Sequence, residues 1–185
     1  MSIATPLIVD RIFPKSIATN VGLVVSGAAL TAIAAQIQIP MWPVPMTMQT
    51  FAVLLVAAAL GAKRGALSLS LYLAMGAAGL PVFAGAKSLT GVLPTAGYLV
   101  GFVAAAAVVG FLAAKGFSKS PLKVAAIFAL GSATIYGFGV AGLMISLGMD
   151  LSTAISAGVI PFLIGDAVKA ALAAALLPAA WKLVR

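Results

Sequence analysis

The sequence has no cysteine, no histidine and no glutamate, and its acidic residues are Asp10, Asp150 and Asp166 alone. Each absence excludes a class of chemistry. Without cysteine there is no disulfide and no thiolate nucleophile, and without histidine there is no imidazole base. A zinc site needs His, Cys or several carboxylates, which three scattered aspartates do not supply. No GxxxxGK[ST] phosphate-binding loop occurs, so the chain has no means of its own to hydrolyse ATP. An intramembrane hydrolase is the least supported reading, since a lone Asp within a span cannot form a carboxylate dyad. The chain calls for no cofactor and no metal.

What the chain does have is apolar surface. Of its 185 residues 63% are hydrophobic and 8% charged, and the mean hydropathy is +1.22. A soluble domain carries about 25% charged residues, so most of this chain belongs in lipid. The net charge of +8 would suggest nucleic acid in a soluble protein. No aromatic–basic interleaving accompanies it, so no nucleic-acid partner is expected. The basic residues are read as loop charges that set topology.

Spans need about 20 apolar residues, with a range near 17–25. Helix 1 is expected from about Ser16 to Gln38, too long for the apolar core of a signal peptide and read as retained. Ala28 and Ala32 give it a small-xxx-small face, suited either to packing inside the protein or to docking a partner. Residues 37–50, IQIPMWPVPMTMQT, place Pro40, Pro43 and Pro45 within six positions, which forbids regular helix. Irregular backbone at membrane depth lies in protein or along a water-filled cavity, so this segment is either a pocket wall or a stiff connector. Short helices follow, from about Gln49 to Leu60 and from about Ala66 to Leu80, around a turn at residues 61–65. Residues 81–97 form a second irregular segment containing Lys87. Helices 4 and 5 are expected at about Thr95–Ala114 and Val124–Leu147, the latter with Ser132, Thr134 and Tyr136 on a face read as close packing. The final 34 residues from Ser152 would make about 50 Å of continuous helix, and Gly158 and Pro161 are expected to divide them. The whole chain, 1–185, reads as a single transmembrane domain of six helices.

Orientation follows from the loops. Arg11, Lys15, Lys63, Arg64, Lys115, Lys119, Lys123, Lys182 and Arg185 fall on one side, and Lys87 and Asp150 on the other. By the positive-inside rule both termini are cytoplasmic, and the two irregular segments face outward.

The stretch PFLIGDAVKAALAAALLPAAW, residues 161–181, holds one Asp and one Lys in an apolar run. Asp166 and Lys169 are three apart and share a helix face. A charge at mid-membrane costs about 2.5–3.5 kcal/mol on insertion scales, so such residues face a cavity, a partner or a substrate. Asp166 is expected about 7–8 Å below the helix start, near the outward mouth. A carboxylate that accepts, an ammonium that donates, Trp42, Phe83 and Tyr98 as apolar walls, and Thr47 and Gln49 as neutral polar groups suit a small ligand with donors, an acceptor and an apolar body. The competing reading is an ion pair that only fixes packing. A different class is an oligomeric channel in which Asp166 and Lys169 line a pore, with further copies of the chain as partners.

PVPMTMQT, LYLAMGAAGLPVFAGAKSLTGVLPTAGYLVGF and IPFLIGDAVKAALAAAL, in this order and spacing, resemble the BioY family, the biotin-specific S components of energy-coupling-factor (ECF) transporters. The likeness covers residues 15–180. It implies an all-α bundle of six transmembrane helices in the bacterial cytoplasmic membrane, with an extracytoplasmic biotin pocket in which Asp166 and Lys169 make polar contacts. The family's conserved blocks also contain Thr47, Gln49, Phe83, Gly97 and Tyr98. The resemblance implies partners: a transmembrane coupling protein, docked on the Ala28–Ala32 face, and cytoplasmic ATPase subunits. Another vitamin as substrate is the nearest alternative. One departure stands out. After PVFAG the family continues with glycines, whereas this chain has Ala86, Lys87 and Ser88, leaving Lys87 either a contact for a ligand carboxylate or a solvated rim residue.

Overall fold

The computed structural model describes residues 7–89 and 93–184. Arg185, counted above among the basic residues, and Thr90, Gly91 and Val92 of the second irregular segment lie outside the described residues. A four-residue helix, α1 (Val9–Ile12), precedes α2 (Ile17–Gln36). Ser16 caps α2 by accepting the Thr19 N–H at 3.0 Å, which satisfies one of the amides left free in the first turn. The proline-rich segment after α2 is not wholly irregular. Two-residue strands β1 (Gln38–Ile39) and β2 (Met46–Thr47) pair antiparallel with Gln38 opposite Thr47.

The next element, α3 (Gln49–Ala77), is a helical hairpin. Its only non-helical residue is Gly61, at φ 81° and ψ 175°, a conformation that glycine adopts without the Cβ clash of other residues. Gln49 and Tyr72 meet across the hairpin at 2.7 Å, so the arms 49–60 and 62–77 run back along each other. The turn is thus one residue where five were expected, because Gly61 alone reverses the chain and Ala62–Gly65 already wind as helix. At 1.5 Å per residue the arms measure about 18 and 24 Å, short of the roughly 30 Å hydrocarbon core.

Helix α4 (Ala96–Ala114) and a 3-10 turn at Phe117–Lys119 lead to α5 (Pro121–Leu147). Helix α5 starts three residues before the expected Val124, since proline at the first helical position forfeits no hydrogen bond. Helix α6 (Leu151–Gly158), capped by Asp150, is separated from α7 (Leu163–Leu183) by a 3-10 turn at Ile160–Phe162, so the final segment divides where Gly158 and Pro161 indicated.

Among the described residues five stretches are long and apolar enough to cross a membrane, and the break at Gly61 makes six of them, the last comprising α6 and α7. Their outer faces carry bare aliphatics such as Ile17 (85% exposed), Ile145 (87%) and Ile164 (82%), a surface suited to lipid. The core runs through the α3 arms, α4 and α5, around Val53, Leu69, Tyr72, Val109 and Ile135. Helices α4 and α5 meet backbone to backbone, with Gly97 against Gly142 and Phe138. At the end opposite the hairpin strands, Asp10 pairs with Arg64 at 2.8 Å. There too Trp181 Nε1 donates to Ser118 Oγ at 3.0 Å, tying the end of α7 to the 3-10 turn.

Candidate functional site

Asp166 lies in the first turn of α7, where the helix dipole favours a carboxylate. Its four acceptor positions are filled from three helices. Oδ1 accepts Thr50 Oγ1 at 3.1 Å and Lys169 Nζ at 2.9 Å. Oδ2 accepts Ser132 Oγ at 3.0 Å and Tyr136 OH at 2.7 Å. Lys169 Nζ also donates to Thr50 Oγ1 at 2.8 Å, so two of its three N–H bonds are satisfied within the chain. The two side chains are 9% and 10% exposed. A buried ion pair survives desolvation only with such further hydrogen bonds.

The pair is not sealed off. Asp166 and Lys169 line a cavity with Val44, Pro45, Thr47, Gln49, Thr50, Phe83, Tyr98, Leu99, Phe102, Tyr136 and Phe162. Its empty space, open mouth included, is about 530 Å³. One end is polar and the walls are aliphatic and aromatic. The cavity opens past Pro45, Phe83, Ala84 and Thr95 into a vestibule lined by Trp42, Lys87 and Pro94.

A second network shapes the wall. Thr47 Oγ1 donates to Gln49 Oε1 at 3.1 Å, Gln49 Nε2 to the Tyr72 hydroxyl at 2.7 Å, and Tyr72 OH to the Val82 carbonyl at 3.0 Å. From the end of α2, Gln36 Nε2 donates to the Phe83 carbonyl at 3.2 Å while its Oε1 accepts the Ala86 N–H at 3.1 Å. Phe83 is thereby pressed edge-on to Tyr72, with centroids 5.3 Å apart, over the space that Gly76 leaves open. Tyr98 spends its hydroxyl on the Gly158 carbonyl at 2.7 Å and offers the cavity its ring.

Of the residues expected at the site, Asp166, Lys169, Tyr98, Phe83, Gln49 and Thr47 line the cavity, and Trp42 and Lys87 its vestibule. Gly97 does not; it is the close contact between α4 and α5, where any Cβ would collide with the Phe138 carbonyl. On the Ala28–Ala32 face, Ala28 is spent on helix packing while Ala32 keeps part of its surface. Ala28 is 1% exposed and Ala32 half-buried against the same core, because small residues let α2 close onto the α3 hairpin. Thr50, Ser132, Tyr136 and Gln36 were not assigned to a site from sequence. Ser132 and Tyr136 are four apart on an apolar helix, a spacing that puts both hydroxyls on one face and could have marked them.

A family model described as the BioY family matches residues 8–185. A protein named biotin transporter BioY from Thermotoga maritima is 43% identical over 150 residues, covering 79% of this chain and 86% of that protein. A probable biotin transporter BioY from Pyrococcus horikoshii is 37% identical over 159 residues, covering 84% and 92%. The crystal structure of the S-component for biotin from an ECF-type ABC transporter superposes with a TM-score of 0.78 at 22% identity, covering 89% of this chain and 92% of that one. That likeness extends to the whole fold.

Proposed function

The chain belongs to the BioY family, and on that premise we propose that it captures biotin in the Asp166–Lys169 cavity and passes it inward as the S component of an ECF transporter. It is a multi-pass membrane transport protein of the bacterial cytoplasmic membrane, not an enzyme. The observation that carries the reading is a buried Asp–Lys pair, with one Lys169 N–H still unspent, at the polar end of an otherwise apolar chamber. Biotin has the matching parts: a urea with two N–H donors and one carbonyl, fused to an apolar ring and chain. The remaining N–H of Lys169 suits the urea carbonyl. Thr50 and Ser132 bind Asp166 through hydroxyls that can rotate away, so the carboxylate can exchange a donor of its own chain for one on the ligand. Phe83, Phe102, Tyr98 and Phe162 clasp the apolar body.

Delivery needs energy that the sequence has no motif to supply, so a transmembrane coupling protein and cytoplasmic ATPase subunits are the partners. The basic ends of the helices face the cytoplasm with both termini, and the vestibule faces outward. Titration of the purified protein with biotin tests the reading, together with Asp166→Asn, Lys169→Ala and competition by thiamine or riboflavin. Saturable binding lost in both variants and untouched by the competitors is expected. Undiminished binding in both variants would remove the pair from the site.

A further inference from the structure

We infer that a furrow between α2, the second arm of α3 and α4 holds an acyl chain of one anionic phospholipid, with the lipid's phosphate at Lys63 and Lys115. The furrow lies at the end of the bundle that carries the Asp10–Arg64 pair, away from the chamber. Its walls are Val21, Val24, Val25, Leu67, Leu71 and Phe111. Val21, Val25, Leu67 and Phe111 are each half or more exposed, so the furrow is apolar surface that the protein itself leaves bare. The inference needs the chain to lie in a membrane and does not depend on what the chamber binds.

The chemistry changes along its length. Between Lys63 and Ala74, both in its lining, the helix rises about 16 Å. That is the depth of one leaflet, half of the roughly 30 Å hydrocarbon core. A membrane-crossing helix of a partner protein would need a face about twice as long. The polar side chains Asn20, Lys63 and Arg64 gather at one end, with Ser70 the single polar side chain farther in. Lys115 joins that end, its Nζ 4.3 Å from the centroid of the Phe111 ring. Of the three acidic residues only Asp10 is at this end, and Arg64 holds it at 2.8 Å. Lys63 and Lys115 are exposed and belong to neither of the two ion pairs among the described residues. Two unneutralised ammonium groups at the mouth of an apolar furrow one leaflet deep match the phosphate and the acyl chain of a single lipid.

Native mass spectrometry of the purified protein tests the site, with phosphatidylglycerol and zwitterionic phosphatidylcholine of identical acyl chains. One phosphatidylglycerol is expected to be retained, preferred by about fivefold for each cation engaged and less so as ionic strength is raised. Lys63→Gln combined with Lys115→Gln removes the preference. Lys123→Gln, at the same end but outside the furrow, leaves it. Ala74→Phe, an exposed position at the furrow's inner end, weakens both lipids alike. Equal retention of the two lipids by the unaltered protein overturns the proposal. So does a Lys123→Gln loss as large as that of the double variant, which would mean diffuse surface charge and no site. Unchanged lipid retention in Ala74→Phe overturns it as well, and failure of that variant to assemble with a coupling protein would then make the furrow a protein interface. Biotin titration of the same variants reads the chamber separately: unchanged biotin binding shows them folded, and no biotin binding to the unaltered protein sinks the chamber reading and not this one.

Discussion

Tyr136 on α5 donates its hydroxyl to Asp166 on α7 at 2.7 Å, the shortest of the four hydrogen bonds on that carboxylate. It joins the two helices at the polar end of the cavity, so Tyr136→Phe should loosen Asp166 without changing wall volume. A hydrogen bond to a charged group contributes about 1.5–3 kcal/mol, so the ligand-free protein should unfold at lower temperature. Biotin binding should weaken roughly tenfold, a loss of about 1.4 kcal/mol. Thermal unfolding in detergent and a binding isotherm check both; unchanged affinity would show that the hydroxyl serves packing alone.

Asp166 and Lys169 should not behave as independent residues. Removing one partner of a buried pair costs about 3–5 kcal/mol because the other charge is left uncompensated. Asp166→Asn and Lys169→Met should each lower stability markedly, and the double variant should lose far less than their sum. Additive losses in ligand-free unfolding would mean that the two charges do not lean on each other.

Much of this was legible from residue order. Two charges in an apolar run stand out because hydrocarbon makes them expensive, and Gly61, Gly158 and Pro161 mark breaks through backbone chemistry that depends on no tertiary contact. The partners of Asp166 were not legible in the same way. Thr50 lies 116 positions away, and in an all-apolar helix no periodicity tells which hydroxyl turns inward. Gly97 and Ala28 show what sequence does not resolve: a small residue that lets two helices touch looks, in sequence, like one that makes room for a ligand or a partner.

The helix contact at Gly97 carries its own prediction. With Gly97 against Gly142 and the Phe138 carbonyl, Gly97→Ala must push α4 from α5, and overpacking of this kind costs about 1–3 kcal/mol. The melting temperature should fall, with loss of binding following only from loss of fold. Full stability with impaired binding would return Gly97 to the ligand site.

Asp150 gives the protein a pH-dependent element outside the membrane. Its carboxylate accepts Thr153 Oγ1 at 2.7 Å and Thr153 N at 3.1 Å. The Thr153 hydroxyl first, and then the Thr153 amide, hold its pKa below the usual 3.8. A carboxyl whose pKa is lowered on folding stabilises the fold above the unfolded value, and that contribution is lost as pH falls through the folded one. The start of α6 should therefore loosen only in acid, below about pH 4. Hydrogen exchange at the first amides of α6 should rise there in the native protein and be raised at all pH values in Asp150→Ala.

The outward orientation proposed for the vestibule can be tested directly because the chain has no cysteine, so a single introduced thiol reports one position. Lys87 and Trp42 are exposed at the vestibule, and Lys63 is exposed at the opposite end, beside the Asp10–Arg64 pair. In intact cells a membrane-impermeant maleimide should label Trp42→Cys and Lys87→Cys, and should reach Lys63→Cys only after permeabilisation. Biotin should slow labelling at both positions if the ligand enters the cavity through that vestibule. Labelling of Lys63→Cys from outside would invert the topology, and with it the direction from which the cavity fills.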